Sequence, residues 1–178
     1  LELRAQIDFA LASGFDVTHL DAHMGVTLAP EFCAIYIRLG AEYQLPVLLT
    51  KKLSQYGPNN HIVGVNDEQF DEFVVLAGEK NMPIFDRVLE TDFNRKATTQ
   101  LGDIAYQTMF TKNLTGLTFA ALHPNAPGEV EVIEPSQFHV RTQEHEIFSS
   151  NNYLSWLAKN EIKPIGMREL RDEMRLAN

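Results

Sequence analysis

The sequence predicts an α/β protein built on a parallel sheet or a (β/α) barrel. Short apolar runs at 15–22, 45–50, 83–89 and 114–122 alternate with segments whose apolar residues recur at helical spacing. No linker and no internal repeat divides them, and 178 residues are of the size expected for one domain, so 1–178 is read as a single domain. Polar clusters stand where two of the apolar runs end, the place where parallel α/β folds carry their chemistry.

Leu3, Ile7, Ala10 and Leu11 share a helical face and Gly14 follows as a stop, giving a helix over 1–13 that leads into the strand 15–22. Pro30 suits the first turn of a second helix, because an N–H is not needed there, and Phe32, Ile35, Tyr36, Leu39 and Tyr43 carry it to Tyr43. Residues 45–50 are a short buried strand. The stretch 51–66, with Gly57-Pro58-Asn59-Asn60, is a loop. Asp67 is expected to cap a helix running to Lys80, followed by the strand 83–89. Ala97, Leu101, Ile104, Ala105 and Met109 predict a helix over 95–111 with Gly102 inside it. The strand 114–122 ends at His123-Pro124, where the proline cannot donate to a ladder. Residues 125–135 read as a loop with room for a short strand pair. Helices at 143–148 and 149–159, a short strand at 163–165 and a helix at 168–176 close the chain.

Composition narrows the function. Hydrophobic residues make up 44% and charged residues 22%, as in soluble globular proteins. A formal net charge of −9 and a pI near 5.1 lack the basic footprint of a nucleic-acid binder. The longest apolar stretches, 32–37 and 117–122, fall far short of the ~20 residues that span a bilayer. Cys33 is the one cysteine. It sits in an apolar helical pattern without activating neighbours, so it reads as a buried structural thiol, and with no disulfide framework the location expected is cytoplasmic. The chain opens on Leu-Glu-Leu-Arg-Ala-Gln, with no signal-peptide layout and no initiator methionine, and is expected to begin inside a longer protein. Oligomeric state is open, a homodimer included.

Chemistry concentrates in His19-Leu20-Asp21-Ala22-His23. In an extended strand the two-residue period puts His19, Asp21 and His23 on one face and Leu20 and Ala22 on the other. Neutral imidazole and carboxylate suit a divalent ion such as zinc, and Asp21 alternatively orients His19 from behind. His123 is the second strand-end histidine. His61, His139 and His145 read as surface residues and Trp156 as core, while Tyr56 and Phe93, in loops, are the aromatic candidates to stack on a sugar ring.

The segment Val17-Thr18-His19-Leu20-Asp21-Ala22-His23, preceded by Arg4-Ala5-Gln6-Ile7 and Gly14, resembles the Thr-His-Leu-Asp-Ser-His segment of the YdjC-like carbohydrate deacetylases, with Ala22 in place of serine. Gly116-Leu117 through Leu122-His123-Pro124 resembles the family's strand ending in His-Pro, Arg141-Thr142-Gln143-Glu144 its Arg-x-x-Glu helix, and 162–170 its closing strand and helix. The resemblance implies a (β/α) barrel of the polysaccharide-deacetylase-like type with fewer than eight regular strands, incomplete at the N-terminus. It further implies a divalent metal, zinc or magnesium, and hydrolytic removal of acetyl from an N-acetylated sugar or oligosaccharide. Carried over by position, His23 matches a metal-ligand histidine and His123 the general acid. Asp21 and His19 match positions lining the site, Asp21 read as catalytic and His19, Arg141 and Tyr56 as substrate-binding.

The chain departs from the family pattern in two places. The opening strand with Asn-Ala-Asp-Asp-Phe-Gly and a second strand with another ligand histidine have no counterpart, and Thr50-Lys51-Lys52 replaces an arginine that often follows the strand at 45–49. The expectation is therefore the C-terminal part of a longer deacetylase that by itself holds metal weakly. The competing readings are a non-catalytic (β/α) protein that binds sugar or a protein partner, and a different metal-dependent hydrolase.

Overall fold

Parallel strand pairing is present in the computed structural model, which describes residues 1–57, 62–92, 102–113 and 116–177. Strand β1 (Arg87–Glu90) pairs in parallel with β2 (Thr118–Ala121), Arg87 opposite Thr118 and Glu90 opposite Ala121. Two single-residue parallel bridges join Leu20 to Val47 and Thr50 to Phe85. The protein is thus α/β with parallel pairing, and the pairing among the described residues consists of one two-stranded sheet and these two bridges. The described residues form two compact units, one within Leu1–Tyr56, Asn60–Asp86 and Ile165–Asn178, the other within Gly57–Asn59 and Arg87–Pro164.

In the first unit, α1 (Glu2–Ala12) buries Ile7 against Leu39 and Leu45. Helix α2 (Pro30–Tyr43) opens on Pro30 and ends where Gln44 turns left-handed, with the Leu45 N–H returning to Gly40 O at 2.8 Å. A Cβ at Gly40 would lie 2.6 Å from Val47 Cγ1 and 2.9 Å from Leu45 O, so only glycine lets α2 lie this close to the chain leaving it. Residues 45–50 are all buried, as a strand covered on both faces would be. Leu28, Cys33, Tyr36, Ile37, Val47, Leu49 and Phe70 form the core, and burial pushes the Cys33 thiol up to about 12.

The stretch 15–22 keeps an extended course but only one bridge. Pro46 accepts from the Leu20 N–H at 2.9 Å and has no N–H of its own, while the Tyr36 hydroxyl lies between Leu48 N–H (3.0 Å) and Leu20 C=O (2.5 Å). A side chain therefore stands where a ladder rung would. Helix α3 (Asp67–Glu79) is capped by Asn66 and not by Asp67. Asn66 Oδ1 accepts from Gln69 N–H at 2.9 Å and Gln69 Oε1 accepts from Asn66 N–H at 3.3 Å, a capping box that leaves Asp67 in the acidic first turn. We label the last helix of the chain α8 (Met167–Ala177). Its buried Arg171 pairs with Asp16 and Asp172 and donates to Val17 O at 3.0 Å, which ties α8 to the entry of the 15–22 segment.

The second unit adds α4 (Asp103–Asn113), α5 (Val130–Ile133), α6 (Phe138–Phe148) and α7 (Asn151–Lys159) to the β1–β2 pair. Leu89, Tyr106, Phe110, Ile147, Tyr153 and Leu157 make its core. Phe148 meets Tyr106 edge-on at 5.1 Å and Tyr153 at 4.7 Å, and Trp156, half-buried, packs on Tyr153 at 5.5 Å at the edge of this core.

Several expectations change in this unit. Gly102 stands just ahead of α4 and its carbonyl accepts from Ala105 N–H, so the helix opens on Asp103, while 95–101 lie outside the described residues. The anticipated strand pair in 125–135 is the short helix α5, because the Glu131 carboxylate takes the Gly128 N–H at 2.9 Å and closes a turn. Helix α6 starts at Phe138, well before 143. Residues 163–165 form no strand; all three are exposed and Pro164 has no N–H to give.

Candidate functional site

Alternation along 15–22 is carried by the packing of two apolar side chains, Leu20 and Ala22. Ala22 is buried and Leu20 packs against the core, so His19 and Asp21 come out on the other side. There they line a cavity of about 240 Å³ together with Gln6, Thr27 and Tyr36 over an apolar floor that includes Ile7 and Leu39. His19 Nδ1 lies 2.9 Å from Thr18 Oγ1. Burial lowers the proton affinity of His19, and the Asp21 carboxylate pulls the other way with the smaller effect. Burial thereby favours the neutral imidazole, which can exchange hydrogen bonds with a polar ligand.

His23 does not continue this face. It is exposed and begins a 3-10 turn (His23–Leu28) in which Met24 and Gly25 have φ of 57° and 78° and the Gly25 N–H returns to Ala22 O at 2.6 Å. The chain bends at Ala22, and His23 is not among the residues lining the cavity. The expected placement of all three groups on one face therefore holds for His19 and Asp21 and fails at His23.

Among the described residues, no three His, Cys, Asp or Glu side chains come together in a group able to hold a metal ion. Zinc centres take three or four protein ligands, so the described donor set does not fit a metal centre by itself.

Tyr56 is used inward. Its hydroxyl donates to Leu48 O at 3.2 Å and accepts from Thr50 N–H at 3.3 Å, and its ring stands edge-on to Phe70 at 6.0 Å. Burial raises its phenol well above the ordinary range. Phe93 and His61 lie outside the described residues.

In the second unit His123 lies two residues past the end of β2, after Leu122, half-buried, with Nδ1 shut off from solvent. Its backbone N–H donates to Glu144 Oε2 at 2.6 Å. Glu144 is 0% exposed, and its other oxygen accepts from Thr91 Oγ1 at 2.6 Å and from the Tyr106 hydroxyl at 3.2 Å. Arg141, one helical turn earlier, is half-buried and its carbonyl accepts from Asn125 N–H at 3.1 Å. His139 and His145, read from the sequence as surface residues, are half-buried on α6.

Glu144 is the residue whose role the sequence reading missed. The signal was there. Val140, Glu144 and Ile147 fall at i, i+4 and i+7, all three are buried, and a carboxylate in the apolar stripe of a helix calls for a specific partner. Of the anticipated site residues, His19, Asp21, His23 and Tyr56 belong to the first unit and His123 and Arg141 to the second.

A segment of 56 residues is 45% identical to a carbohydrate deacetylase of Thermus thermophilus, covering 32% of this chain. That segment spans about a fifth of the relative's length (21%). A family model described as YdjC-like protein matches residues 1–159. With most of its length matched, the chain belongs to the YdjC-like family.

Proposed function

We propose that the protein hydrolyses the acetamide of an N-acetylated sugar or oligosaccharide, on a (β/α) barrel of which the parallel pairs described above are part. The observation that carries this reading is the strand-end histidine: His123 sits at the carboxyl end of parallel β2 with its backbone N–H held by Glu144 and its Nδ1 enclosed. Family membership and the carbohydrate deacetylase relative support the substrate class.

In this reading water adds to the acetamide carbonyl and gives its proton to the aspartate base that the family resemblance implies, the C–N bond of the tetrahedral intermediate breaks, and His123 passes its own proton to the departing amine through Nε2. The products are acetate and the free amino sugar. A positioned histidine acting as general acid contributes ~10²–10⁴-fold. Asp21 is the carboxylate that offsets the burial of His19. In the unit of His123, Arg141 is the proposed sugar contact; in the other unit His19 is proposed as a sugar-binding residue and Tyr56 supports the 48–50 main chain.

A divalent ion, zinc or magnesium, belongs to the proposal through the family resemblance, with His23 as the one donor assigned here. Among the described residues the donors fall short of a metal centre.

The test is release of acetate with matching appearance of free amine from a chito-oligosaccharide, by the protein before and after dialysis against a chelator. His123→Ala should lower kcat by at least ~10²-fold and leave substrate binding in place. A second reading, a non-catalytic member that binds sugar, is favoured by the lack of a three-donor group among the described residues. Sugar binding without acetate release, with metal supplied, would establish it.

A further inference from the structure

We propose that Glu144 is the positioning residue for His123, and that the Arg141–Glu144 turn of α6 fixes the main chain on leaving β2. The inference deepens the deacetylase reading and rests on it. After Ala121, the last residue of β2, and Leu122 come His123, Pro124 and Asn125, and Pro124 has no N–H. The two N–H groups that exist both go to α6: His123 N–H to Glu144 Oε2 at 2.6 Å, and Asn125 N–H to Arg141 O at 3.1 Å. The backbone on both sides of the proline is therefore set by one helical turn, which leaves the imidazole only its two side-chain torsions.

Glu144 is itself fixed. Fully buried, it takes hydrogen bonds from Thr91, just past β1, from Tyr106 on α4, and from the His123 backbone just past β2. No cation is among these partners in the described residues, so three neutral donors carry the stabilisation of the carboxylate. Where a buried polar cluster serves stability alone, replacing all of its members together by apolar side chains is often neutral or stabilising, whereas removing one member strands its partners. Here its oxygens instead tie two neighbouring parallel strand ends to the residue read as the general acid. Thr91 and Tyr106 keep the carboxylate from swinging, and the carboxylate keeps His123 from drifting.

The experiment compares wild type, E144L and E144Q by kcat and KM for acetate release from a chito-oligosaccharide, by thermal melting, and by the ¹H–¹⁵N resonance and hydrogen exchange of the His123 amide. In wild type that amide should be shifted downfield and protected. E144L should lower kcat by ~10²-fold with KM little changed, as expected when a reacting group is displaced by about 1 Å, and the His123 amide should move upfield and exchange faster. E144Q should recover most of the loss, because its carbonyl accepts the His123 N–H while its NH₂ donates to the Thr91 and Tyr106 hydroxyls. Loss of thermal stability in E144L with kcat intact would reduce Glu144 to a structural residue and overturn the proposal. An unprotected His123 amide in wild type would overturn it even if E144L does not fold. Absence of acetate release from wild type would defeat the deacetylase reading, while the amide data would still decide whether Glu144 holds His123.

Discussion

Tyr36 shows how single side chains shape the first unit. Its hydroxyl joins Leu20 C=O to Leu48 N–H beside Asp21, so one phenol takes the place of a strand rung at the edge of the cavity. Tyr36→Phe leaves both backbone groups short of a partner and should cost about 1–3 kcal/mol in chemical denaturation, the cost falling toward the low end if the two groups close on each other. His19 gives a second residue-level expectation. Burial holds its pKa below 6.5, so between that folded value and 6.5 the unfolded chain binds more protons than the folded one. Stability therefore declines as pH falls through 6.5 and levels off below the folded pKa. NMR titration should place the His19 midpoint below 6.5, and Asp21→Asn should lower it further, since Asp21 is the influence that raises it. A midpoint at or above 6.5 would contradict the burial account. At this scale the sequence was informative wherever a residue's immediate neighbours decide its surroundings: Leu20 and Ala22 turn inward and His19 and Asp21 face the cavity, as alternation says. His23 departs because the turn through Met24 and Gly25 requires positive φ, which a periodicity argument starting at 15 does not contain.

In the first unit helices were the legible elements and strands were not, for a physical reason. A helix satisfies its backbone within its own sequence, so the apolar stripes of α1, α2 and α3 place them to within a residue or two. A strand's bonds lie in another segment, and here Pro46 and the tyrosine hydroxyls interrupt them, so runs read as strands of six to nine residues shrink to four-residue strands or single bridges. The cap of α3 is a near miss of the same local kind. Asn66 and Asp67 are both good caps, and the Gln69 side chain three residues after Asn66 selects Asn66. Asn66→Ala should lower stability by about 1 kcal/mol, read as a drop in melting temperature, with acetate release unchanged. Asp67→Ala should cost less, since it removes only a favourable charge at the helix start.

At the level of the whole chain, each unit carries its own core, one around Tyr36, Ile37, Val47, Leu49 and Phe70, the other around Tyr106, Phe110, Ile147 and Tyr153. The α/β class followed from the alternation of periods. The candidate site was legible in part: strand-end histidines draw attention by their position, but the carboxylate that fixes His123 comes from a helix 21 residues further on, and only packing reveals that its side chain faces inward. No helix among the described residues is long and apolar enough to cross a membrane. The YdjC-like family match extends over 1–159, most of the chain. The most direct measurement is the stoichiometry of acetate and free amine released from a chito-oligosaccharide by wild type and by His123→Ala, at saturating substrate and with a divalent metal present. Equal amounts of the two products from wild type, and kcat lower by ~10²-fold or more in the variant, are the predicted result; undiminished turnover in His123→Ala, or no acetate from wild type, would contradict the account.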